Sequence, residues 1–165
     1  MSDPFTPLIE DHRRVDQLFS EYEQTGDWNT ALTIFQELTV HSTIEEEMIY
    51  GLYRSKVDSN GADEARREHQ EAKDLIASIS AMGPDAEGVK PAMAQLKASV
   101  QHHVQEEESE LFPKMADRLG DTVAFMGNDI VTRKAELKTQ VADDFASGMG
   151  AAAASQKPNA TPGSF

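Results

Sequence analysis

The sequence predicts an all-α fold, an up-down-up-down four-helix bundle with one additional C-terminal helix. Three observations carry this. Apolar residues recur three and four positions apart almost throughout, no segment alternates with β-branched enrichment, and the breaks between periodic segments are only a few residues long. A chain of 165 residues makes one domain with a tail, large enough to bury a core without staples.

Each element has its own start and stop. Helix 1 is expected over about 3–24, with Pro4 tolerated in the first turn and Gly26 past the end. Helix 2 runs from about 28 to 56 and is broken by the turn-forming stretch Asp58-Ser59-Asn60-Gly61. Helix 3 covers about 62–82 and stops at Gly83-Pro84. Helix 4 covers about 91–119, with Pro91 at a first helical position and Pro113 expected to kink or weaken its last turns. Helix 5, about 121–147, places Val123, Ile130, Leu137, Val141 and Phe145 on one side. Residues 148–165 are small, polar and punctuated by Pro and Gly, and are expected to be a disordered tail.

Composition narrows the chemistry. There is no cysteine, which removes disulfides, iron–sulfur clusters, thiolate zinc sites and cysteine nucleophiles. The 29 acidic against 15 basic side chains give a formal charge of −14. Such a surface repels phosphate backbones and anionic lipid, so neither nucleic acid nor membrane is an expected partner. The N-terminal MSDPFTPLIEDHRR lacks a basic start followed by an apolar run, and no stretch approaches the roughly 20 apolar residues of a membrane span. A soluble, cytoplasmic protein is expected.

The core-facing positions are the informative part. Helix 1 presents Leu8, His12, Val15 and Phe19; helix 2 presents Ile34, Leu38, His41, Glu45, Met48 and Leu52. Helix 3 presents Ala62, Ala65, His69, Ala72, Ile76 and Ile79; helix 4 presents Leu96, Val100, His103, Glu107 and Leu111. Each seam carries one histidine, and two follow it one turn later with a glutamate. A carboxylate in an apolar seam without a cation costs several kcal/mol or takes up a proton. No lysine or arginine shares these seams, whereas a bound metal removes the difficulty, because imidazole and carboxylate suit iron and manganese.

The heights agree as well. Each histidine lies about twelve or thirteen residues from the turn that joins its helix to its neighbour, or ~18–20 Å at ~1.5 Å per residue. A single core histidine is ordinarily a hydrogen-bonded packing residue, but four in one layer, one per helix, make a site. Two carboxylates and four imidazoles are rich for one ion and lean for two, which favours a polynuclear centre. The fifth histidine, His102, shares a face with Gln95, Ala98, Glu106 and Ser109 and is expected to point outwards. Glu46, Glu47, Glu106, Glu108 and Glu110 read as a solvated face, with Glu46 a candidate for orienting a ligand from outside the centre.

The series His12, His41-Ser-Thr-Ile-Glu45, His69 and His103-Val-Gln-Glu-Glu107, together with the run HHVQEEESELFPK, resembles the hemerythrin-like (HHE cation-binding) family over about residues 5–118. The resemblance implies two non-heme iron ions with an oxo or hydroxo bridge inside a four-helix bundle. By analogy Glu45 and Glu107 bridge the metals, His12 and His41 bind one iron, and His69 and His103 bind the other. Two departures stand out. Oxygen-carrying hemerythrins have a second histidine one turn after the third-helix ligand, where this chain has Lys73. They also carry an aspartate one residue further along helix 4, where this chain has Glu107 at the four-residue spacing.

With one imidazole missing, one iron has room for solvent, an exogenous ligand or another side chain. Some actinobacterial-type relatives use a helix-2 tyrosine in this way. On a regular helix Tyr53 lies two turns beyond Glu45 and within about 80° of it, while Tyr50 falls nearly opposite His41. Tyr53 is therefore the expected seventh ligand.

The function expected is that of a diiron protein meeting dioxygen, peroxide or nitric oxide. The missing imidazole favours turnover of peroxide or nitric oxide, catalase-like or peroxidase-like, over plain reversible oxygen carriage. The alternative is a non-enzymatic oxygen or iron binder or sensor.

Overall fold

A computed structural model describes residues 3–148. These are all helical apart from short turns, in seven α-helices: α1 (Thr6–Thr25), α2 (Trp28–Ile44), α3 (Tyr50–Lys56), α4 (Ser59–Met82), α5 (Val89–Glu106), α6 (Phe112–Leu119) and α7 (Met126–Ala146). Two of the breaks are not chain reversals. A five-residue π turn, Glu45–Ile49, joins α2 to α3, and a second, Glu107–Leu111, joins α5 to α6. Each pair is one continuous rod, so the molecule has five helical rods packed as a bundle. The expected tail lies outside the described residues apart from Gly148.

Local chemistry accounts for the boundaries. Gly26 ends α1 at φ 65°, a left-handed conformation that glycine adopts without a Cβ penalty. The Asp27 carboxylate then caps α2 by accepting from the Asn29 N–H at 3.2 Å. Asp58 does the same for α4, accepting from Asn60 and Gly61 at 3.0 and 3.1 Å. That cap explains why α4 starts at Ser59, three residues before the expected position. The stretch that reads as a breaker is the start signal of the next helix. Helix α5 begins at Val89, and Pro91 sits in its first turn, where N–H groups have no intrahelical partner. Pro113 falls in the first turn of α6, just after the second π turn, so the expected disturbance of helix 4 takes the form of that turn.

Rods 1 to 4 close a ring: α1 packs on α2, α3 on α4, α4 on α5, and α5 back on α1. The fifth rod, α7, lies outside against α2 and α1, burying Ile130, Leu137 and Val141. Its start approaches the chain's beginning closely. A Cβ on Gly127 would sit 3.3 Å from the Pro4 carbonyl oxygen, so a larger residue there would push the two apart.

The apolar core is divided. One cluster holds Phe5, Leu8, Ile44, Tyr53, Leu111 and Met115; the other holds Val15, Phe19, Ile34, Phe35, Ile79 and Leu96. In each of rods 1 to 4 the histidine falls near the boundary between the two clusters, so a polar layer crosses the bundle at that height. Among the described residues no helix is long and apolar enough to cross a membrane.

Candidate metal centre

Four imidazoles and two carboxylates form this layer, and all are buried. His12, His41, His69 and His103 are 5–7% exposed, Glu45 0% and Glu107 1%. They sort into two clusters that share the carboxylates: His12, His41, Glu45 and Glu107, and His69, His103, Glu45 and Glu107. Glu45 turns Oε1 to His41 Nε2 at 3.2 Å and Oε2 to His69 Nε2 at 3.2 Å. Glu107 turns Oε1 to His103 Nε2 at 3.3 Å and Oε2 to His12 Nε2 at 3.4 Å. Each carboxylate thus offers one oxygen to each cluster.

The distances fit metal coordination better than hydrogen bonding. His12 and His41 bring their Nε2 atoms to 3.1 Å, and His69 and His103 bring theirs to 3.0 Å. Two imidazole–metal bonds of about 2.0–2.1 Å at roughly a right angle span about 3 Å. Glu45 Oε1 and Glu107 Oε2, both fully enclosed, accept no hydrogen bond. Buried carboxylate oxygens are costly in that condition unless a cation sits against them.

A ring of four more acids holds the imidazoles from behind. Asp11 on α1 meets His41 Nδ1 at 3.4 Å, and Glu46 in the first π turn meets His69 Nδ1 at 3.1 Å. Glu68 on α4 meets His103 Nδ1 at 2.7 Å, and Glu108 in the second π turn meets His12 Nδ1 at 2.8 Å. Each rod orients the histidine of the next, and the fourth returns to the first. An Nδ1–H held by a carboxylate leaves the Nε2 lone pair facing inwards, the tautomer a metal needs. Cations fix three of these acids in turn: Lys134 of α7 on Asp11, Lys73 on Glu46, and Arg13 on Glu108. Lys73, standing where oxygen-carrying hemerythrins have a histidine, therefore supports the site rather than enters it.

The tyrosine at the centre is not the one expected from a regular helix. Tyr50, not Tyr53, reaches the centre. Its hydroxyl donates to Glu107 Oε1 at 2.7 Å and to Glu45 Oε2 at 3.3 Å. It also lies 2.9 Å from His69 Nε2 and 3.2 Å from His103 Nε2. The first π turn is the physical reason. It inserts one residue, which rotates everything after it by about 100° and puts Tyr50, five residues on, over Glu45. Tyr53 is buried one turn further along and lines a groove beside His103 and Glu107, but its hydroxyl makes no hydrogen bond to any of the ligands among the described residues. The second π turn does the same for Phe112, five residues after Glu107, whose ring stacks on Phe5 at 4.6 Å and faces His12 at 6.1 Å. One cluster therefore gains a phenol and the other a phenyl.

The charge pattern of the layer is one that a cation complements. Burial pulls the His41 imidazole down, but Glu45, Asp11 and Glu107 override it and push it up to about 10. Burial also opposes charge on His103, yet Glu107 and Glu68 hold it well above the ordinary value. Burial disfavours ionised Glu107, but His103 and His12 keep its carboxyl well below the usual range. Burial, with Glu107 and Glu45 beside it, drives the Tyr50 phenol well above its ordinary value. Protons held on His41 and His103 compete with a metal, which must displace them to bind. Metal affinity will rise with pH, by about tenfold per pH unit for each proton released, between about pH 6 and 8. Cobalt(II) titrations across that range will show this slope, and a flat profile would contradict it.

Of the other expectations, His102 points outwards and is 64% exposed. His103→Ala should lose metal while His102→Ala keeps the buried ions; equal loss from both, measured by elemental analysis, would overturn the assignment of the inward face.

A bundle in which four rods each turn a histidine, and two of them a glutamate, into one buried layer defines a helical cation-binding domain with clusters suited to a dimetal site. The chain belongs to the hemerythrin family: residues 3–115 match its model, described as the hemerythrin HHE cation binding domain. It is 34% identical over 113 residues to a DNA nickase of Nostoc sp., a stretch covering 66% of this chain and 32% of the nickase. It is 28% identical over 122 residues to an uncharacterized hemerythrin-like protein of Schizosaccharomyces pombe, covering 69% of this chain and 60% of that protein. The matched region thus spans less than two thirds of either relative. No solved structure matches the chain.

Proposed function

We propose that this protein holds two non-heme iron ions with an oxo or hydroxo bridge and turns over small oxidants, peroxide or nitric oxide, in a catalase-like or peroxidase-like manner. The observation that carries this reading is the convergence of four Nε2 atoms, two two-sided carboxylates and the Tyr50 oxygen on one buried layer. Nitrogen and oxygen donors of this kind suit iron. His12 and His41 would hold one ion and His69, His103 and Tyr50 the other, with Glu45 and Glu107 across both. Iron so held supplies exchangeable coordination positions and reversible one-electron chemistry.

The surrounding residues select what reaches the metals. A cavity of about 40 Å³ lies against the four imidazoles, walled by Val15, Leu38, Ile76, Val100 and Val104. It exceeds the roughly 10–15 Å³ that one water requires, yet its apolar walls offer a water few partners. Small uncharged molecules fit it; larger substrates do not. The nickase name belongs to a much longer protein, and the −14 charge works against a phosphate backbone, so the proposal does not extend to DNA.

The test is peroxide consumption and nitric oxide loss by the iron-loaded protein. Turnover of either supports the reading. A reversible oxygen-dependent spectrum without turnover would place the protein among oxygen binders instead.

A further inference from the structure

Outside the buried layer, Glu68, His102 and Glu106 form a third group whose ligand atoms lie within 4.8 Å of one another. His102 Nε2 is 3.3 Å from Glu106 Oε1 and 3.5 Å from Glu68 Oε1. Glu68 is the unusual member. It is only 7% exposed, and its two oxygens face opposite ways. Oε2 accepts from His103 Nδ1 at 2.7 Å, while Oε1 faces the outer group and accepts no hydrogen bond among the described residues.

A groove of about 210 Å³ between α4 and the rod of α5 and α6 joins this group to the buried centre. Its outer rim carries Glu64, Glu106 and Glu110; its inner wall is Glu68, His103 and Glu107. The one lysine on its lining, Lys114, is paired with Glu110 at 2.8 Å. An acidic cleft with low-dielectric walls concentrates cations and raises their rate of arrival.

We propose that Glu68, His102 and Glu106 form an outer divalent-metal site, the port through which first-row metal ions reach the buried pair. The inference rests on the dimetal reading above. Imidazole and two carboxylates make a weak, open, exchangeable set, as a transfer site requires. Glu68 contributes to both ends of the path, to the outer ion through Oε1 and to His103 through Oε2. Glu107 stands at the inner end, with Oε1 3.3 Å from His103 Nε2.

The test uses the metal-free full-length chain and cobalt(II), followed by its visible absorption after rapid mixing and by equilibrium dialysis. The wild type should bind a third, weaker and rapidly exchanging ion beyond the two buried ones. The double variant His102→Ala/Glu106→Gln should lose that ion, keep the two buried ones, and fill them about tenfold more slowly. Glu71→Gln, which removes one exposed acid elsewhere on α4, should load at the wild-type rate. Loading of the double variant at the wild-type rate would overturn the port, whatever the stoichiometry. Equal slowing by Glu71→Gln would overturn it too, since the effect would then belong to overall charge. If neither wild type nor variant retains cobalt, the buried centre itself fails, and the port with it.

Discussion

Replacing Glu107 with alanine will reduce bound iron from about two per chain to less than one. Glu107 gives one oxygen to each cluster, so its loss would take a ligand from both proposed ions at once. The substitution also removes the acceptor of the Tyr50 hydroxyl, 2.7 Å away, and the carboxylate that balances His103. Loss of a residue that only orients a ligand costs about 10–100-fold in metal affinity, so loss of a carboxylate that faces both clusters should cost more. Elemental analysis beside a far-ultraviolet circular dichroism spectrum checks this. Low iron with retained helicity supports the bridging role, and a variant that keeps two irons contradicts it.

Tyr50→Phe will keep iron but lose the visible phenolate-to-iron(III) absorption, and Tyr53→Phe will leave it unchanged. The Tyr50 oxygen lies within 3.3 Å of two imidazole nitrogens and both carboxylates, a position that a bound phenolate would occupy. Burial and two carboxylates raise its proton affinity, so only a cation at the site can draw the phenolate out. The spectrum is therefore the direct readout. Loss of the band in Tyr53→Phe with retention in Tyr50→Phe would overturn the geometry of the first π turn.

These two residues mark the boundary of what the sequence makes legible. The four histidines and two glutamates could be read from periodicity, because up to His41, Glu45, His103 and Glu107 the helices are regular and three-to-four spacing holds. Tyr50 could not. On a regular helix it lies opposite His41, and only the one-residue slip of the Glu45–Ile49 turn brings it round. Both HxxxE motifs end on the first residue of a π turn, and such turns gather at functional sites. That coincidence becomes visible only with the backbone in hand.

Of the four supporting acids only Glu46 reads as an orienting residue from the sequence, and the other three were hidden for a different reason. Glu108 reads as solvated and Asp11 and Glu68 stand off the apolar seams, yet all reach across to a neighbouring rod. A signal was present: each lies directly beside a ligand in the chain, Asp11 before His12, Glu46 after Glu45, Glu68 before His69 and Glu108 after Glu107. A residue one position off an inward face points sideways, at the adjacent helix, where that helix's histidine waits for its Nδ1 partner. The role of the fifth helix was likewise beyond periodicity. Its apolar side explains its packing, but Lys134, which pairs with Asp11 behind His41, lies on α7 far along the chain and is brought near only by the fold.

The central claim is a two-metal centre, and metal content tests it most directly. Elemental analysis of the protein purified aerobically without added metal should give about two irons per chain. Little iron, or a single zinc, would leave the helical bundle standing and contradict the diiron account.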